Sequence, residues 1–198
     1  MIDQQTLNVY NAKADAYANL PATDIHEALQ RFANQLTPPA VVLDLGCGHG
    51  ANAAYLRDLG HQVEAWDAST SMQQIAKQRF NMDVQLKTFD QLECEQHYQG
   101  ICANYSLLHV PPEQLPGYLA AIAKALIPGG LLHLGMKLGT GTERDQLGRF
   151  YAYYSEPQLS TWLTELGLRI EWRQQNVAAG LAGKPEAGII IHARRDGQ

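Results

Sequence analysis

The densest cluster of chemically able residues is Asp44-Leu45-Gly46-Cys47-Gly48-His49-Gly50-Ala51. Glycines at alternate positions let a backbone turn tightly and let a ligand approach the main chain with no Cβ in the way. A helix starting after such a turn aims its free N–H groups at the same point. A bare strand-to-helix turn is the plain alternative, but three glycines so close together exceed what that turn needs. On the glycines alone the ligand is open. Gly46-x-Gly48-x-x-Ala51 satisfies the relaxed dinucleotide fingerprint, and Asp67 lies at the distance of a ribose-binding acid, so a nicotinamide dinucleotide fits the spacing.

A second set of reactive side chains lies further along. Asn104, Tyr105, Ser106 and His109 come together in sequence, then Lys137, then the stretch 138–154 with Glu143, Arg144, Arg149, Tyr151, Tyr153 and Tyr154. His109 is the candidate base, because an imidazole titrates near neutrality; a backbone hydrogen bond at the end of its segment is its ordinary role. Lys137 meets an acidic substrate or snorkels to water. Arg144 or Arg149 suits a carboxylate held by two parallel bonds. Aromatic faces stabilise a cation or shape an apolar pocket, while Phe150 and some of the tyrosines are ordinary packing.

These residues need elements to position them. Apolar periodicity predicts helices over 5–18 and 24–36, the second capped by Thr23 or Asp24 and ended by Pro38 and Pro39. Residues 40–45 form a continuous apolar run, as in a parallel strand buried on both faces. The alternation continues with a helix at 50–59, closed by Gly60, a strand at 61–66, a helix at 70–80 and a strand at 84–88. Further strands are predicted at 100–105 and 131–137, separated by a helix at 112–127 with Pro112 in its first turn. After the irregular 138–154 come a helix at 156–166 and strands at 168–175 and 187–194. This pattern is an α/β chain with an open, doubly wound, mostly parallel sheet and its ligand beyond the carboxyl ends of the strands. The last two strands, joined without a helix, form an antiparallel pair at one edge.

Composition narrows the classes. With 198 residues, 45% apolar and 18% charged, the chain suits one domain spanning 1–198 with a full core. A net charge of -5 with no Lys/Arg cluster argues against nucleic acid as partner. Cys47, Cys94 and Cys102 have neither disulfide-scaffold nor metal-ligand spacing. The opening residues lack a basic region and an apolar run, and no window approaches the ~20 consecutive apolar residues of a membrane span. The expectation is a cytoplasmic chain with no membrane partner and no metal; no pattern specifies an oligomeric state.

The ordered motifs add a resemblance. Val41 to Gly50, then Gly60-His61-Gln62-Val63-Glu64-Ala65-Trp66-Asp67-Ala68-Ser69 and Met72, are similar to the first two motifs of class I S-adenosylmethionine-dependent methyltransferases. Ala125-Leu126-Ile127-Pro128-Gly129-Gly130 resembles the family's later landmark. Ser106-Leu107-Leu108-His109-Val110-Pro111 resembles bacterial small-molecule members, including those likened to tellurite-resistance methyltransferases. The resemblance spans roughly 35–175 and implies a Rossmann-like methyltransferase fold: seven strands, the last antiparallel, with S-adenosyl-L-methionine over the first two strand ends.

Carried over residue by residue, Asp44 and the backbone of Gly46, Cys47, Gly48 and Gly50 would face the methionine part, with Asn104 nearby. Asp67 would hold the ribose hydroxyls, Ala68, Met72 and Phe89 would line the adenine, and Asp90 would meet its amine. Tyr10 and Tyr17, in an N-terminal helical cap over 1–36, resemble positions that close the site from above, and 138–154 would be the substrate lid. A carboxylate at Asp44 suits a cationic amino-acid group better than a pyrophosphate, against the nicotinamide reading. The chain departs from the family at Gln99, where an acid is usual, and at His49, usually a smaller residue. After the fourth strand stands Asn104-Tyr105-Ser106-Leu107, without the prolines of enzymes that methylate a flipped base. The expected activity is in-line methyl transfer to a small-molecule acceptor, with Tyr105 and His109 at the reacting centre and Tyr10, Tyr17, Lys137, Arg144, Arg149 and Tyr153 around the acceptor. A nicotinamide-dependent oxidoreductase and a non-catalytic cofactor-binding module on the same fold are the competing expectations.

Overall fold

The fold was read from a computed structural model, which describes residues 3–19, 25–179 and 181–197. Helices α1 (Gln4–Ala18) and α2 (Ile25–Ala33) precede strand β1 (Val41–Leu45). Then follow α3 (Ala51–Asp58), β2 (Gln62–Asp67), α4 (Thr70–Phe80), β3 (Val84–Leu86), β4 (Tyr98–Asn104), α5 (Leu115–Ala125) and β5 (Leu126–Lys137). A small hairpin, β6 (Thr142–Arg144) and β7 (Phe150–Ala152), leads into α6 (Glu156–Glu165) and the long pair β8 (Leu168–Ala179) and β9 (Pro185–Arg195).

Seven strands form one sheet in the order β3-β2-β1-β4-β5-β9-β8. β1 pairs in parallel with β2 on one side and β4 on the other, so the strand order reverses between β1 and β4. That crevice is where such a sheet holds its ligand. β9 runs antiparallel to both β5 and β8, the reversed last strand the sequence predicts. Both faces are covered, which is why β1 reads as an unbroken apolar run: Val42, Leu43 and Leu45 are fully buried. Leu29, Phe32, Ala33 and Leu36 pack on Val42, Leu56, Cys102 and Leu131. α2 therefore packs on a sheet face, while α1 lies over the crevice.

Several boundaries differ from the sequence reading. α2 ends at Ala33, because Gln35 and Leu36 turn back to the carbonyls of Phe32 and Ala33 in tighter bonds. Pro112 lies in a turn ahead of α5, whose first helical turn holds Pro116 instead. β5 starts before Pro128-Gly129-Gly130 and runs through them, at the cost of a register shift against β4 between Tyr98 and Gly100. The stretch 138–154 is ordered as the β6–β7 hairpin rather than irregular. β8 and β9 pair as far as Ala179 and Pro185, several residues beyond the expected ends. The expected cap at Thr23 or Asp24 lies outside the described residues. Among the described residues, no helix is long and apolar enough to cross a membrane.

Candidate active site

β1 runs straight into the glycine turn. Gly46, Gly48 and Gly50 take φ of 76°, 54° and 83°, a region that other residues rarely adopt. At Gly46 space is also decisive, since a Cβ there would lie 2.4 Å from Cβ of Ser106. The Gly46 and Cys47 N–H groups donate to the Trp66 carbonyl at 2.8 and 2.9 Å, tying the turn to the end of β2. The next residue, Asp67, closes the loop: its Oδ2 accepts from the Gly48 N–H and its Oδ1 from the Ser69 N–H, both at 2.8 Å.

Asp44 lies beneath this turn, 1% exposed, and its Oδ2 has no hydrogen-bond partner. Burial, and then the charge of Asp67, push its carboxyl up to about 7. Burial also raises Asp67, against the backbone N–H groups that hold it down. Among the described residues neither acid is ion-paired, so the turn has an acidic floor.

Above the floor opens a cavity of about 670 Å³. Its turn end is walled by Gly46, Cys47, Gly48, Asp67, Ala68, Met72, Phe89 and Asp90; Asn104, Tyr105 and Ser106 stand at the end of β4. Tyr10, His109, Lys137, Arg149, Tyr151, Asn176 and Glu186 line the far end. α1 is the roof. On the hairpin side Arg144 grips both oxygens of Asp3 at 3.0 and 2.7 Å, and Thr6 Oγ1 accepts from the Phe150 N–H at 2.8 Å. On the α4 side the Ser69 hydroxyl donates to Asn11 at 2.7 Å and Arg79 reaches the Ala18 carbonyl at 2.8 Å. Tyr17 also lines the cavity, edge-on to Tyr10 and His49.

At the far end the protonation pattern follows from the partners. His109 Nδ1 lies 2.6 Å from the Phe150 carbonyl, which only accepts, so Nδ1 carries the proton. Nε2 is then a lone pair, and the Tyr10 hydroxyl donates to it at 2.7 Å. Burial, reinforced by the nearby Arg149 and Lys137 charges, drives His109 down to about 4 despite its bond to Phe150, so the ring is neutral. Arg149 Nη1 donates to the Tyr10 oxygen at 3.3 Å, while its other nitrogens hold Asp145 at 2.7–2.9 Å. Lys137 is paired with Glu186 and stands 3.6 Å over the Tyr151 ring; burial lowers its pKa. Tyr105 sits at a positive φ of 54°, an unusual conformation for a tyrosine, and donates to Asn176 at 3.0 Å.

The structure thus brings together most of the residues singled out by sequence. Four stand apart from the cavity wall. Asp44 is under the turn, and Gly50 begins α3 with Ala76 too close to admit a Cβ. Arg144 faces outward to Asp3, and Tyr153 packs over Gly139 with its hydroxyl on Glu143 and Glu186. Asn176 and Glu186 were missed. They belong to the overhanging ends of β8 and β9, beyond where apolar alternation stops, and Asn176 taken alone reads as a turn residue.

Strand order, reversed last strand and acidic glycine turn define a Rossmann-like methyltransferase fold. A family model described as a methyltransferase domain matches residues 16–176, and the chain belongs to that family. An uncharacterized methyltransferase of Staphylococcus carnosus is 28% identical over 177 residues, 80% of this chain and 86% of its own length. A probable S-adenosyl-L-methionine-dependent methyltransferase, TehB of Haemophilus influenzae, is 28% identical over 131 residues, 63% of this chain but 46% of TehB, so the chain spans about half the length of that relative. Among solved structures, 1,6-didemethyltoxoflavin-N1-methyltransferase of Burkholderia thailandensis, with bound 1,6-didemethyltoxoflavin and S-adenosylhomocysteine, matches with a TM-score of 0.79 at 24% identity, covering 98% of this chain and 86% of that one.

Proposed function

We propose that this methyltransferase moves a methyl group from S-adenosylmethionine to a small-molecule acceptor that carries a proton on the atom to be methylated. One observation carries the reading. A roofed cavity joins a glycine turn carrying two acids, neither ion-paired among the described residues, to a chamber of tyrosines around a neutral imidazole. The turn end fits a cationic nucleoside and disfavours a pyrophosphate, which would face Asp67 in the wall with Asp44 buried beneath it.

When bound, S-adenosylmethionine supplies an activated methyl group on a sulfonium sulfur. The chain's own residues do the rest. Asp67, fixed by two backbone N–H groups, keeps lone pairs for ribose hydroxyls. Ala68, Met72 and Phe89 give the adenine an apolar slot with Asp90 at its rim, and the Gly46–Gly48 backbone borders the amino-acid part. At the far end the acceptor's proton passes to the Tyr10 oxygen, displacing its contact with Arg149 or Tyr151, as Tyr10's own proton passes to His109 Nε2, leaving an imidazolium held by the Phe150 carbonyl. His109 thus acts as base through Tyr10. Tyr105, held by Asn176, and the paired Lys137 and Arg149 shape and orient the acceptor. Arg144 and Tyr153 act on the roof and hairpin instead. The two cations are each matched by a carboxylate, Glu186 and Asp145, which supports a neutral acceptor. The similar Burkholderia thailandensis enzyme binds a small molecule, 1,6-didemethyltoxoflavin.

Calorimetric titration with S-adenosylhomocysteine, with NAD(H) as parallel control, tests the reading. Micromolar binding of the former alone is expected. Binding of NAD(H) instead would overturn the function and leave the fold intact.

A further inference from the structure

Two histidines lie fully buried inside the sheet, outside the cavity wall. His133 on β5 stands directly opposite His192 on β9, both 0% exposed. His133 Nδ1 is 3.0 Å from His192 Nε2, and His133 Nε2 is 3.2 Å from Oδ1 of Asn104, at the end of β4 in the cavity wall. Gly135, paired with Asn104 across the strands, leaves the room this contact needs: a Cβ there would lie 2.7 Å from Asn104 Oδ1. Phe32 seals the pair from the α2 side at 5.7 and 6.0 Å, and Trp172 stacks 4.7 Å from His192 with Arg31 lying 5.2 Å over its ring. A buried polar chain of this kind is costly unless it is satisfied, so its one loose end is informative. That end is His192 Nδ1, which has no partner among the described residues.

Burial keeps both rings neutral, so each carries one N–H. The chain of bonds then has two possible polarities. In one, His192 Nε2–H donates to His133, His133 Nε2–H donates to Asn104 Oδ1, and the loose end is a bare lone pair. In the other, with the Asn104 amide turned over so that its nitrogen donates to His133, every bond reverses, and the loose end is a buried N–H without an acceptor, set near the positive charge of Arg31. An orphaned buried donor is the rarer and costlier outcome, and a nearby cation favours a lone pair over an N–H. The first polarity holds. It occupies the oxygen of Asn104 and leaves its amide nitrogen to the cavity.

We infer that His133 and His192 are positioning residues that lock Asn104 with its N–H₂ group toward the cavity, as a donor to the carboxylate of the cofactor's amino-acid part. The inference rests on the S-adenosylmethionine reading above. The carboxylate is the partner because β4 pairs with β1 beside the glycine turn, and Ser106, two residues past Asn104, abuts Gly46. A donor fixed there also refuses an amine, which would bring a second set of N–H groups.

The test compares S-adenosylhomocysteine with methylthioadenosine, which has the same nucleoside and no amino-acid part. Asn104→Asp should weaken S-adenosylhomocysteine about tenfold or more and leave methylthioadenosine within about twofold. His133→Phe should show the same selective loss at about fivefold, and His133→Gln, whose amide donates again to Asn104, should recover most of it. Equal loss for both ligands would mean a merely structural pair, and an unchanged S-adenosylhomocysteine affinity in Asn104→Asp would remove the carboxylate; either overturns the inference. Long-range ¹H–¹⁵N spectra of the unmodified protein give an independent reading that no folding defect obscures. Both histidines should carry their proton on Nε2; the opposite tautomers would overturn the lock. If the unmodified protein binds neither ligand, the cofactor reading fails and the carboxylate partner with it, while the tautomers still decide the lock.

Discussion

At Asp44 burial and charge conflict most directly. Its carboxyl stands at about 7 in the fold against 3.8 in an open chain, so the folded form holds a proton that the unfolded form releases. Stability without cofactor should therefore fall as pH rises from about 4 to 7, by on the order of 3 kcal/mol, and level off above. Asp44→Asn should flatten that part of the curve in urea unfolding followed across pH. Tyr10 gives a second prediction. Tyr10→Phe should leave S-adenosylhomocysteine affinity nearly unchanged and lower kcat by roughly a hundredfold, with His109→Ala losing a similar amount; equal turnover would remove the relay. The two cases also mark what single residues reveal in sequence. Asp67 and the glycines were legible because spacing alone fixes them after a strand. Arg144 and Tyr153 were not, because residues of a hairpin alternate between faces and the hairpin itself went unread.

Among the elements, α1 stands out for adding polar latches to one small apolar contact, Ala14 with Tyr10, Tyr17 and Ala18 against Met72 and Ile75 of α4. Its buried residues are few, Thr6 and Ala14, while Asp3, Thr6, Tyr10 and Asn11 each bond to another element. Thr6→Val with Arg144→Ala should speed amide hydrogen exchange along residues 4–18 and leave β1, β4 and β5 protected; uniform exchange across the chain would count against a roof that opens by itself. The sheet elements were read well because period and glycine punctuation agree there. The β8–β9 overhang was not. Polar residues that pair beyond the sheet, such as Asn176 and Glu186, carry no apolar alternation, and only the partner strand shows that they are strand at all.

For the whole molecule, ligand and fold are one equilibrium. S-adenosylhomocysteine at a hundredfold over its Kd should stabilise the chain by about 2.7 kcal/mol and raise Tm by roughly 5–10 °C, read by calorimetry. NAD(H) should leave Tm where it is. The doubly wound architecture was legible from alternation alone, since each strand–helix unit declares itself locally. The roofed cavity was not, because it exists only once residues some hundred positions apart, Tyr10 and His109, meet.

That one helix covers both ends has a kinetic corollary. α1 holds Asn11 against Ser69 at the turn end and Tyr10 against His109 at the far end, so it has no way to uncover one without disturbing the other. On the proposed function, departure of the spent donor and of the methylated product then shares a single opening event. Turnover at saturation should track that motion rather than bond-making, and it should slow in step with solvent viscosity.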